Sequence, residues 1–250
     1  MGGHDAWITR FRQVPDAPVR LVCFPHAGGS AGFYFPMAQP LDPYAELLAV
    51  QYPGRQNRRL EPCVDDIEAL ADAVAAALAG WQDRPLALFG HSMGALVAFE
   101  TARRLRRPPV RLYVSGRRAP TVHREESVHR RDDDGIVAEL RALSGTDLRV
   151  LGDEEILRMI LPAVRADYRA VETYRPDPGV TVDCPVTALV GDSDPRVGVA
   201  EARAWAGHTA GPFELAVFPG GHFYLAQHQR DVIKLVAEGL GELAPSSPEN

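Results

Sequence analysis

Hydrophobic and polar positions along the chain follow two alternating rhythms. Short, nearly continuous apolar runs predict strands at Trp7–Arg10, Val19–Phe24, Glu46–Gln51, Leu86–Phe89, Arg111–Ser115, Val186–Val190 and Glu214–Phe218. Longer stretches with apolar residues three and four apart predict helices at Asp66–Ala79, Met93–Leu105 and Asp231–Leu243. Such alternation marks βαβ units, and strands without polar alternation need cover on both faces. The expected class is α/β: a mostly parallel central sheet with helices on both faces.

Gly116 to Cys184 breaks this rhythm. It has no convincing strand but three amphipathic stretches, Asp134–Leu143, Glu154–Leu161 and Pro162–Tyr174. In the last, Val164, Tyr168 and Val171 share one helical face, and Pro162 suits a first turn. The segment, at about residues 116–184, reads as a helical insertion capping one sheet edge within a single domain spanning 1–250. Arg124–Asp134 reads as a solvated loop, and the tail Pro245–Asn250 as frayed.

Composition narrows the function classes. The 250 residues are 46% hydrophobic and 24% charged, which argues against disorder. The net charge of −6 disfavours a general nucleic-acid binder. Met1–Gln13 has no apolar signal core, and no apolar run is long enough to span a bilayer. The expectation is a cytoplasmic protein with no membrane partner. Cys23, Cys63 and Cys184 form no paired framework. Lys234 is the single lysine, an arginine bias that reads as base composition rather than as a function.

The chemistry concentrates at Gly90-His91-Ser92-Met93-Gly94, a G-x-S-x-G between a predicted strand and a predicted helix. That is the setting of a nucleophile elbow, with glycines for the tight turn and a helix N-terminus behind the serine. A serine needs a base and an orienting acid. His222 follows the last predicted strand and Gly220-Gly221, and is better placed than His208 or His228. Gly191-Asp192-Ser193-Asp194-Pro195 offers two carboxylates, of which Asp194 is the expected acid and Asp192 a turn-former. The loop after Arg111–Ser115 holds no carboxylate before Glu125, so the acid does not come from there. Oxyanion donors are expected from the N–H groups of Met93 and Ala27, with Gly28 in reserve. His26 and His91 read as locally bonded residues. No histidine spacing suggests a metal, and no glycine motif a phosphate-binding loop, so neither metal nor cofactor is expected.

Phe24-Pro25-His26-Ala27-Gly28-Gly29, Tyr52-Pro53-Gly54-Arg55, Gly90-His91-Ser92-Met93-Gly94, Gly191-Asp192-Ser193-Asp194-Pro195 and Gly220-Gly221-His222-Phe223 together resemble type II thioesterases. These are stand-alone α/β-hydrolases that accompany polyketide synthases and nonribosomal peptide synthetases in antibiotic biosynthesis. The resemblance covers nearly the whole chain. It implies the α/β-hydrolase fold with a helical lid, a triad of Ser92, Asp194 and His222, and oxyanion donors at Met93 and Ala27. It further implies hydrolysis of acyl thioesters from the phosphopantetheine arm of acyl or peptidyl carrier proteins, removing stalled or aberrant groups. Arg117, Arg118, Arg124, Arg130 and Arg131 are a candidate docking patch for an acidic carrier. A general acyl-CoA hydrolase or carboxylesterase, and a non-catalytic partner of a synthase, remain as alternatives.

Overall fold

The computed structural model describes residues 6–143 and 154–242. Leu243 and Pro245–Asn250 lie outside them. Seven strands are present among the described residues: β1 (Ile8–Arg10), β2 (Val19–Phe24), β3 (Ala45–Val50), β4 (Leu86–His91), β5 (Arg111–Ser115), β6 (Val186–Gly191) and β7 (Phe213–Phe218). They form one sheet in the order β1-β3-β2-β4-β5-β6-β7. Only the β1–β3 pairing is antiparallel. The mostly parallel sheet expected from the sequence is therefore present, with strand ends within two residues of those expected.

The helices are α1 (Phe35–Leu41), α2 (Ile67–Ala77), α3 (Met93–Arg104), α4 (Asp133–Leu143), α5 (Glu154–Thr173), α6 (Val199–Arg203), α7 (Tyr224–Gln227) and α8 (Gln229–Gly241). Every residue of β2, β3, β4 and β6 is buried. Alternate side chains feed two cores, as the two-residue period of a strand requires. Val22, Phe24, Leu48, Val50 and Leu88 pack with α2, α3 and Trp205 on one face. Leu21, Cys23, Leu47, Ala49 and Phe89 pack with α1 and α8 on the other. Asp66 caps α2, its carboxylate accepting from the Ala69 amide at 2.8 Å.

The segment between β5 and β6 holds α4 and α5, and departs from expectation in two ways. Glu154–Leu161 and Pro162–Tyr174 are not two helices. A single α5 runs through Pro162. Proline forgoes one main-chain bond there, but Leu157, Leu161, Val164 and Tyr168 continue one apolar stripe across it. That stripe packs on Val128, Ile136, Val137 and Leu140. Packing of a continuous stripe outweighs the lost bond. Arg124–Asp134 is likewise tied down. The Glu172 carboxylate of α5 accepts from the amides of Val128 (2.8 Å) and His129 (3.1 Å), and Arg165 donates to the carbonyls of His129 and Arg131 at 2.8 and 2.6 Å. Counting its charges as solvated missed partners that lie elsewhere in the chain: Glu172 and Arg165 of α5 for His129 and Asp133, Glu201 for Arg124 and Glu139 for Arg131.

From β2 the chain builds outward through β3 and then returns to β4 on the other side of β2. The crevice at the carboxyl ends of β2 and β4 is thus the switch point of the sheet, where open α/β sheets bind ligands.

Candidate active site

β4 ends at His91 and α3 begins at Met93, which leaves Ser92 alone in the turn between them. Its backbone has φ 55° and ψ −117°, a conformation that costs an L-residue on the order of 1–3 kcal/mol and persists only when its surroundings impose it. The imposition is visible: the Ser92 amide donates to the Ser115 carbonyl at 2.8 Å, and the Ala95 amide to the Ser92 carbonyl at 3.0 Å. The start of α3 also presses on the end of β2 so closely that a Cβ on Gly94 would lie 2.0 Å from the Phe24 carbonyl oxygen. The result is a hydroxyl raised at the N-terminal end of a buried helix.

The two later strand ends deliver the other two side chains. His222 Nε2 lies 3.1 Å from Ser92 Oγ, and His222 Nδ1 lies 2.8 Å from Asp194 Oδ2. The Asp194 side chain is fully buried and that of His222 is 4% exposed. The second Asp194 oxygen accepts from the Arg196 amide at 2.8 Å. Asp192 points elsewhere: its carboxylate accepts from the Gly220 amide at 2.9 Å and from the Ser193 hydroxyl at 2.8 Å. It stitches the loop after β6 to the loop after β7. Those loops touch because Gly191 has no side chain; a Cβ there would sit 2.3 Å from the Gly220 carbonyl oxygen. Of the two carboxylates read from the sequence, the structure brings Asp194 to the imidazole and gives Asp192 the turn.

Ala27 lines the same small chamber as Ser92 and His222, with about 40 Å³ of free space. Tyr168 and Val171 of α5 form part of its wall. Among the described residues neither the Met93 nor the Ala27 amide donates to a protein acceptor. The Gly28 amide does, to Asp167 Oδ2 at 2.7 Å, which removes the reserve donor. Two backbone N–H groups, one at the first residue of α3 and one in the loop after β2, are thus left without an acceptor among the described residues.

His91, His26 and His208 are packed. His91 Nδ1 is 2.9 Å from Ser115 Oγ, which in turn is 2.6 Å from the Tyr224 hydroxyl. Burial, then His222 and His26, holds the His91 imidazole well below the usual range and therefore neutral. His26 sits edge-on between Phe33 and Phe223, with ring centroids 4.7 and 4.8 Å away. Burial, with His222 and Arg55, pushes its pKa down to about 3. His208 bonds the Val180 carbonyl and Thr121, both at 2.9 Å. Among the described residues no group of three or more His, Cys, Asp or Glu side chains gathers in a way that would hold a metal ion.

Sequence reasoning missed Asp167. This α5 carboxylate, fully buried, pairs with Arg55 at 2.6 and 2.8 Å. Arg55 also donates to the carbonyls of Gly29 and Pro53, each at 3.3 Å. One carboxylate thus joins α5, the Tyr52-Pro53-Gly54-Arg55 turn and the glycine-rich loop that carries Ala27. The available signal was an acid between Val164, Tyr168 and Val171 on an otherwise apolar helix face. The candidate docking patch fares differently: Arg118 pairs with Glu126, Arg124 with Glu201 and Arg131 with Glu139. Three of its five cations are therefore neutralised within the chain.

Comparison with known proteins places this architecture. Residues 19–239 match the thioesterase domain family. The chain is 53% identical over 237 residues to a "Probable cadicidin biosynthesis thioesterase" of Streptomyces griseus, covering 94% of this chain and 66% of that protein, just under two thirds of its length. It is 51% identical over 239 residues to "Thioesterase PikA5" of Streptomyces venezuelae, covering 94% of this chain and 85% of that one. Among solved structures, the type II thioesterase BorB from the borrelidin biosynthetic cluster superposes with a TM-score of 0.88 at 50% identity, over 96% of this chain and all of that one. Sheet order, elbow and sequence agree: the chain belongs to the thioesterase domain family, on the α/β-hydrolase fold.

Proposed function

We propose that this thioesterase uses Ser92, His222 and Asp194 as a catalytic triad to hydrolyse acyl groups from the phosphopantetheine arm of carrier proteins, as an editing enzyme of polyketide or nonribosomal peptide assembly. The observation that carries the reading is the unbroken chain from Asp194 through His222 to Ser92, with contacts of 2.8 and 3.1 Å. The substrate class rests on relatives named as thioesterases of biosynthetic pathways.

In this reading Ser92 Oγ attacks the thioester carbonyl while His222 Nε2 takes its proton. Asp194 accepts from His222 Nδ1–H and holds the tautomer. The Met93 and Ala27 amides stabilise the tetrahedral oxyanion. Its collapse breaks the C–S bond, and His222 returns the proton to the departing thiolate. Water, activated by the same imidazole, then cleaves the acyl-enzyme. One thioester and one water become one acid and one thiol, with no cofactor consumed. The α4–α5 segment serves as the lid over this chamber.

The test compares kcat/KM for one acyl group on a carrier protein, on coenzyme A and in a simple ester. It is run together with intact-mass detection of a fluorophosphonate adduct that Ser92→Ala abolishes. A preference for the carrier-bound group with labelling at Ser92 is expected. Equal rates on all three substrates would reassign the protein as a general hydrolase, and an unreactive Ser92 would remove the mechanism.

A further inference from the structure

The turn after β5 carries two consecutive arginines with opposite circumstances. Arg118 is fully engaged, with Glu126 and, at 3.1 Å, the Val122 carbonyl. The Arg117 main chain is anchored, its carbonyl accepting from Trp205 Nε1 at 2.8 Å. Its guanidinium donates to no acceptor among the described residues, and its Nε is buried without a partner. Arg117 lines the chamber that contains Ser92 and His222.

The carboxylates facing that chamber are already committed. Glu126 holds Arg118 and Arg196, and Glu172 holds the Val128 and His129 amides and the His129 ring. Burial and the adjacent Arg118 push the Arg117 pKa down to about 9, which still leaves it a cation at neutral pH. An unpaired, desolvated guanidinium is costly unless something external pairs with it. Its planar fork matches the oxygens of a carboxylate or a phosphate. With about 40 Å³ free, the chamber has room for only a small group.

We propose that Arg117 is an anion-binding residue of the acyl chamber, pairing with an oxyanion group of the substrate. The group is the carboxylate of a dicarboxylic half-thioester such as malonyl; the phosphate of the pantetheine arm lies a whole arm's length from the thioester carbon and cannot share so small a chamber with it. The proposal rests on the reading of Ser92 as nucleophile toward acyl thioesters. It makes Arg117 a selector among thioesters rather than a participant in bond breaking.

The test uses the full chain with four substrates: acetyl and malonyl groups, each on N-acetylcysteamine and on 4′-phosphopantetheine. In Arg117→Gln, kcat/KM for the two malonyl substrates is expected to fall at least tenfold further than for the two acetyl substrates, with Arg117→Lys in between. A loss that follows malonyl on both arms supports the assignment. One that follows phosphopantetheine under both acyl groups overturns it. Since the Arg117 guanidinium makes no hydrogen bond among the described residues, and Glu126 and Glu172 attract it only through space, the Arg117→Gln melting temperature is expected at or above that of the wild type. Equal loss across all four substrates, or a melting temperature several degrees lower with no change in selectivity, overturns the proposal and marks Arg117 as structural. A wild-type protein inert on all four overturns the thioester reading beneath it, and this proposal with it.

Discussion

Arg55 and Asp167, 112 positions apart in sequence, meet as a two-pronged ion pair at 2.6 and 2.8 Å with both side chains buried. Asp167 Oδ2 also accepts the Gly28 amide, so the pair sets the position of the loop bearing Ala27. Asp167→Asn strands a buried guanidinium and is expected to cost about 3–5 kcal/mol in urea unfolding. Replacing both residues with apolar ones, Arg55→Met with Asp167→Leu, is expected to cost less than the sum of the single changes. Additive costs would show that the two are not coupled. Because the glycine-rich loop is released, kcat of the single variant should also fall, by roughly ten- to a hundredfold.

The two carboxylates of the β6 loop differ in their partners, Asp194 holding the His222 imidazole and Asp192 the Gly220 amide. Asp194→Asn keeps the shape but disturbs the imidazole tautomer, and by the protease precedent should lower kcat by about 10⁴. Asp192→Asn keeps a carbonyl acceptor for the Gly220 amide and should leave kcat within about tenfold. Steady-state kinetics on one thioester decides; the reverse order would make Asp192 the acid.

Gly191→Ala forces the β6 and β7 loops apart, because the added methyl meets main chain at 2.3 and 2.5 Å rather than a side chain that can swing away. Overpacking of this kind costs about 1–3 kcal/mol. The expected result is a folded protein whose kcat drops because His222 is carried away from Asp194. An unchanged kcat would mean that the loops yield without moving the imidazole.

Acid should destabilise the protein well before its carboxylates titrate. His26 is neutral when folded down to about pH 3, whereas an unfolded histidine takes up a proton near pH 6.5. In that window the unfolded state binds more protons, so stability rises with pH and is lost as pH falls from about 6.5 toward 3. The slope from such a group is at most about 1.4 kcal/mol per pH unit. His91, depressed in the same direction, steepens it. Denaturant unfolding between about pH 4 and 7 measures the slope, and His26→Gln should flatten it. An unaltered slope in that variant would show that His26 titrates normally.

The sheet and the convergence of Ser92, Asp194 and His222 were legible because both obey local rules. A parallel strand covered on both faces reads as continuous hydrophobics, and the site side chains follow such strands on glycine turns. What escaped depends on distant contacts. Pro36 and Pro40 hid α1, whose Met37, Ala38 and Leu41 are held by burial rather than propensity. Pro162 looked like a boundary until the stripe on either side of it met α4. Asp167 stands on an otherwise apolar helix face, but its partner Arg55 lies in another turn of the chain, so nothing local pairs the two. Arg117 and Arg118 are neighbours with the same chemistry, and only coordinates reveal which one has a carboxylate.

The apolar seam joining Val128, Ile136, Val137, Leu140, Leu161 and Val164 is separate from the two cores that sandwich the sheet. Residues along it can be exchanged for others of different bulk without repacking the strands that present Ser92, Asp194 and His222. Yet α5 itself bridges seam and sheet: Ala170 and Val171 belong to a sheet core and Asp167 grips the glycine-rich loop, so a change at the seam that tilts α5 is transmitted to the Ser92 chamber through those contacts.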